Sequence, residues 1–165
     1  DTDTDTDTDT DTDTDADTDT AFAPRTGAWS VTEVTLQGDT CGLDTSDDTG
    51  EDDMATLMLT QSDDGGYDLN VGAVPVDFRC ELDEATLSCA DLVFTDDQTS
   101  SGTDAVVVTT ARFHMAFTSD STAEIAWALN FDCSGEECTA VTEAMGLLTT
   151  PCSTQYEGRA SLSEG

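Results

Sequence analysis

Twenty residues at the N-terminus alternate carboxylate and hydroxyl side chains, Asp-Thr repeated with Ala16 replacing one Thr. Carboxylate oxygens suit hard divalent cations, which makes Asp1, Asp3, Asp5, Asp7, Asp9, Asp11 and Asp13 candidate Ca²⁺ ligands. The hydroxyls of Thr2, Thr4, Thr6, Thr8, Thr10, Thr12, Thr14, Thr18 and Thr20 are candidate sites for O-linked sugars, as in other Thr-rich stalks. In an extended chain, like side chains recur about every 7 Å on one face. Composition alone gives a solvated, self-repelling arm that buries nothing. A fixed shape would need an outside clamp: bridging cations, covalent sugars, or backbone pairing with a neighbouring chain by β-strand addition.

Six cysteines are the second chemical resource: Cys41, Cys80, Cys89, Cys133, Cys138 and Cys152. No two are spaced C-x₂-C, and a lone His offers little for mixed zinc ligation, so disulfides are expected. Disulfides place the folded chain in an oxidising compartment, outside the cytosol or at the cell surface. A turn between Glu84 and Ala85 sets Cys80 directly opposite Cys89, where a cross-strand bridge is natural. The other four allow three pairings. Cys138–Cys152 with Cys41–Cys133 is preferred, and Cys133–Cys138 with Cys41–Cys152 stands close behind.

Catalytic signatures are scarce. The single His114 lies between Phe113 and Met115, so alternation turns it away from the apolar side. The sequence has no G-x-S-x-G, no Gly-rich phosphate loop and no H-E-x-x-H. Trp29 and Trp127 sit on apolar faces and read as core anchors. The loop Asp44–Gly50 places Gly seventh rather than sixth, which is wrong for an EF-hand. Asn70 and Asn130 lead no N-x-[ST] sequon. The expectation is a chain that is not an enzyme.

The charge balance sorts the partners. Thirty-seven acidic residues stand against four Arg and no Lys, a net charge of −33. The arm holds ten of the acids, leaving 27 against four Arg beyond it, a net −23. Such a surface repels nucleic-acid phosphate and anionic lipid, and attracts divalent cations or basic partners. Adaptation to salty surroundings explains the missing Lys equally well. No apolar run reaches the length of a membrane span. The sequence starts at Asp1 rather than Met, so any export signal is expected to lie before it.

These residues have to be positioned by short strands. From Gly27 the pattern is alternation punctuated by turn signals. Ala123, Ile125, Trp127, Leu129 and Phe131 share one face, with Glu124, Ala126, Ala128, Asn130 and Asp132 on the other. Val107, Ala111, Phe113, Met115 and Phe117 form the matching face across a turn at 119–122. Val74, Val76, Phe78, Cys80 and Leu82 share a face, as do Leu87, Cys89 and Val93. Slippage between Val31 and Val34 predicts a bulge. Residues 137–148 read as the one helix, stopped before Pro151. The expected architecture is all-β: an antiparallel up-and-down barrel or sandwich of about eight strands with one short helix near the C-terminus. The arm and its linker take residues 1–26 and the stapled domain 27–165.

Gly27-Ala28-Trp29 resembles the G-x-W of the first strand of lipocalins, and that resemblance implies that Arg159 in the last strand packs on Trp29. The bulge and six cysteines depart from the family. The overall plan also resembles bacterial surface lipoproteins that carry an Asp/Thr-rich linker before a Cys-bridged β-domain. Two functions follow. One is a structural subunit of a secreted filament or surface coat, self-associating through its arm. The alternative is a surface-tethered, lipocalin-like binding module with the arm as spacer and an apolar interior cavity.

Overall fold

The computed structural model describes residues 22–43, 56–72 and 76–163. The arm's candidate ligands and glycosylation sites, the loop Asp44–Gly50 and Val74 lie outside these. The strands are β1 (Gly27–Asp39), β2 (Thr56–Gln61), β3 (Tyr67–Val71), β4 (Phe78–Asp83), β5 (Thr86–Cys89), β6 (Leu92–Asp97), β7 (Val106–Phe117), β8 (Thr122–Ser134) and β9 (Cys152–Leu162), with helix α1 at Cys138–Ala144. Every pairing is antiparallel, in the order β5-β4-β3-β2-β1-β9-β8-β7-β6. A further β5–β7 pairing closes the sheet. β5 and β6 are one strand broken at Ala90–Asp91: β5 lies against residues 114–116 of β7 and β6 against residues 106–111. The result is the expected all-β fold, an eight-strand antiparallel barrel with one short helix.

Alternation sorts the side chains as the pleat requires. Phe113, Met115, Phe117, Ala123, Ile125 and Trp127 point inward and join Trp29, Leu57, Leu59, Leu69 and Leu87 in one buried cluster. Eight strands enclose a space that such side chains fill. Arg112, His114, Glu124, Glu157 and Arg159 are exposed on the outer face. Charge outside and apolar surface inside is the reverse of a transmembrane barrel. Among the described residues no helix is long and apolar enough to cross a membrane.

The wall is uneven. β1, β7, β8 and β9 run 11 to 13 residues, whereas β2 to β5 run four to six. The long strands therefore stand clear of the short side at one end, called the upper end. The lower end gathers the start of β1, the β7–β8 turn and the last residues of β9. Residues 22–26, expected as linker, pack there instead. Phe22 meets Phe117 at 5.5 Å between ring centroids and Pro24 is buried. The Arg25 amide donates to the Asp120 carbonyl at 3.2 Å, and Trp29 Nε1 donates to the Arg25 carbonyl at 3.3 Å. The Ser163 amide donates to the Ala28 carbonyl, so the residues that follow β9 also lie here up to Ser163.

Cys80 and Cys89 are bridged across the β4–β5 hairpin at the expected register. The preferred pairing of the other four is overturned. Cys41 bonds Cys152 and Cys133 bonds Cys138. The cause is that β1 pairs with β9 in the register Asp39↔Thr154, which carries Cys41 to Cys152. Cys133, at the end of β8, meets α1 because the chain folds straight back at Gly135. A Cβ there, at φ +121°, would collide with the Asp104 carbonyl oxygen. Asp104 latches the start of the helix: its carbonyl accepts from the Glu137 amide, and its own amide donates to Glu137 Oε2 at 2.6 Å.

Three further expectations change. Val93 does not share the inner face of Leu87 and Cys89; it is 60% exposed, because the break at Ala90–Asp91 shifts the alternation by one and turns Leu92 and Phe94 inward. Val76 is exposed and precedes β4, which begins at Phe78. The helix stops at Ala144 instead of 148, and Leu147 turns in to pack on Cys41 and Cys152. The bulge in β1 is present, between Thr32 and Thr35, with Glu33 at φ +55°.

Candidate functional site

The outward face of β8 carries small residues at its centre, flanked by strands with long ones. Ala126 and Ala128 lie between His114 and Arg112 of β7 and Glu157 and Gln155 of β9. The register draws one row across five strands: Ser88, His114, Ala126, Glu157, Thr35. A second row runs Thr86, Ala116, Glu124, Arg159, Thr32. Small floor residues between long walls leave a trough made of two adjoining depressions. One, of about 390 Å³, is bordered by Gln37, Asp91, Arg112 and Gln155. The other, of about 500 Å³, is bordered by Glu33, Thr35, Glu124 and Arg159. His114, Ala126 and Glu157 line both.

Half of the chain's Arg residues and its only His lie in this trough. Arg112 Nε donates to Asp91 Oδ2 at 2.9 Å, and Arg159 Nη1 to Glu33 Oε2 at 2.9 Å. Both pairs are well exposed, so each is worth little in stability, and they serve to hold the walls. Arg159 thus sits on the outer face, while Trp29 is 0% exposed and points inward. The contact implied by the lipocalin resemblance is not formed, because odd-numbered positions of β9 face outward. The carbonyl of Arg25 partners the Trp29 indole instead.

Ser88 and His114 are directly opposite each other, a juxtaposition that sequence reading missed because it depends on barrel closure through β5–β7. A hydrolytic triad needs a nucleophile hydrogen-bonded to the imidazole and a carboxylate on the other ring nitrogen. Among the described residues no hydrogen bond joins Ser88 to His114. Glu157 is separated from His114 by the whole width of β8, about 10 Å at two strand spacings. The row offers hydrogen-bond donors and acceptors to a bound group.

Two turns carry perturbed acids. Asp64 is held below the usual carboxylate range, chiefly by the Gly66 amide and then by Arg79, which also pairs with Asp68 at 2.7 Å. Asp97 is lowered by the hydroxyl and amide of Thr99, at 2.6 and 3.0 Å. Both acids are exposed and stabilise the loops 62–66 and 97–102. Among the described residues no three His, Cys, Asp or Glu side chains are grouped to hold a metal ion. In comparisons with known proteins, no family model matches this chain, and neither a curated protein nor a solved structure does.

Proposed function

We propose that this chain is a non-enzymatic extracellular structural protein, a subunit of a secreted filament or surface coat in which the Asp-Thr arm makes the contacts between copies. The observation that carries this reading is the packed root of the arm. Phe22, Pro24 and Arg25 are tied to the lower end of the barrel, so the arm joins the domain through a packed segment. An arm so rooted transmits position from one copy to the next. Three disulfides in a barrel of this size suit a head that keeps its shape in an oxidising compartment. Cations bridging the Asp row and sugars on the Thr row remain part of the proposal.

Deletion of residues 1–20 tests it. The barrel's circular dichroism and melting should persist while multimers vanish from light scattering and electron microscopy. Assemblies that form unchanged without the arm would refute the proposal. The mass of the intact secreted chain tests the sugars, and a mass equal to the bare polypeptide excludes them.

The trough favours a second reading, a surface-tethered binding module with the arm as spacer. Because the described inward-facing side chains fill the barrel centre, its ligand would bind over Ala126 rather than inside. In that case arm deletion leaves binding intact, whereas Ala126→Trp abolishes it.

A further inference from the structure

The two ends of the barrel differ in a way that bears on how copies would join. The arm is rooted at the lower end. At the upper end β6 rises beyond β4: the last link between them is the Ala90 amide to the Arg79 carbonyl at 2.8 Å. From Leu92 to Asp97, β6 pairs among the described residues with β7 alone. Among the described residues, one side of a six-residue strand therefore has no main-chain partner, the usual template for strand addition.

Upper β1 also extends past β2, which covers only residues 27–30. That edge is spoiled by register shifts between Thr32 and Thr35 and between Leu36 and Gly38, and bulges of this kind discourage pairing. The β6–β7 register, in contrast, runs without interruption through six pairs. β6 contains neither Pro nor Lys, and its first four residues, Leu92-Val93-Phe94-Thr95, carry no charge. Val93 is exposed on the outer face, while Leu92 and Phe94 are half-buried on the inner one.

We infer that the free edge of β6 is the acceptor for the Asp-Thr arm of a second copy, an inference that rests on the proposed assembly role. The arm's period of two matches a strand, and Thr favours extended backbone. Added beside β6, the arm turns its Thr row toward Leu92 and Phe94 and its Asp row outward past Val93 and Thr95 into solvent. Residues 1–21 span about 70 Å at full extension, ample for the task. With the donor at the lower end and the acceptor at the upper end, the contact is head-to-tail. Contacts of that type propagate as open filaments where the rotation between copies does not close into a ring. Asp91, Asp96 and Asp97 flank the neutral stretch, so the arm docks only when salt or divalent cations screen the carboxylates.

The test uses the full chain at high salt, with multimers read by light scattering and backbone protection by hydrogen exchange. Val93→Glu and Thr95→Glu alter exposed side chains and should leave the barrel's melting unchanged while abolishing multimers; Val93→Lys should preserve them. Amides of Val93, Thr95 and Asp97, which face away from β7, should exchange about tenfold more slowly in the full chain than after deletion of residues 1–20. If deletion of the arm dissolves the assemblies but both Glu variants assemble normally, the edge assignment fails and the assembly role stands. If assemblies survive the deletion, both fall. Arm-dependent protection of β6 in a chain that stays monomeric would mean that each arm folds onto its own barrel, and would overturn the contact between copies.

Discussion

Trp29 and Phe117 meet edge to face, with ring centroids 5.6 Å apart and planes at 62°, and Phe22 closes on Phe117 from the arm side. The first strand, the β7–β8 hairpin and the root of the arm are thereby packed on one another at the lower end. Phe117→Ala should lower unfolding free energy by about 3–5 kcal/mol, the range for deleting a buried aromatic ring. Phe22→Ala, at a half-buried position, should cost about 1–2 kcal/mol on the scale of partial apolar burial. Urea titration of both variants measures this. A Phe22 variant as stable as the parent would show that the root rests on the barrel without supporting it.

The disulfides should contribute in order of the chain they close. Cys41–Cys152 spans 111 residues, against nine for Cys80–Cys89 and five for Cys133–Cys138. On the chain-entropy model the first is worth about 4–5 kcal/mol and the other two about 2–3 kcal/mol each. Paired Cys→Ser variants, compared by denaturant midpoint, should rank accordingly. The ranking inverts if native contacts already hold β1 to β9 in the unfolded ensemble.

Stability should climb with ionic strength. Beyond the arm, 27 acidic residues face four Arg, and three of those Arg are already paired with carboxylates. The screening length falls from about 10 Å at 0.1 M salt to about 3 Å at 1 M. Raising NaCl over that range should raise the melting temperature. CaCl₂ at matched ionic strength separates the two explanations of the acidity: equal shifts mark screening, and a larger calcium shift marks ligation.

Acid should loosen two turns late. Asp64 and Asp97 have folded pKa values below 3.8, so their hydrogen bonds stabilise the fold fully above that value. The contribution is lost as pH falls through the depressed folded values, below 3.8 for both. Hydrogen exchange at Gly66 and Thr99 should stay slow at pH 5 and accelerate, beyond the intrinsic pH trend, only under more acidic conditions. Asp97→Asn should remove the effect at Thr99 and leave Gly66 unchanged.

Sequence alone determined the apolar faces of β7 and β8, where the bulge in β1 falls and that Cys80 meets Cys89. Each of these is local: the pleat has a period of two, and a tight turn fixes what stands opposite it. His114 was legible as outward-facing for the same reason. What alternation does not carry is which strand lies beside which. Cys41 finds Cys152 because β1 pairs with β9 across more than a hundred residues. Val93 leaves the core because one break resets the alternation, and Arg159 faces Glu33 rather than Trp29 because the β1–β9 register places it there. Ser88, His114, Ala126, Glu157 and Thr35 form a row only once the barrel closes. Closure and register are set by packing summed over the whole wall, and no window of the chain contains that sum.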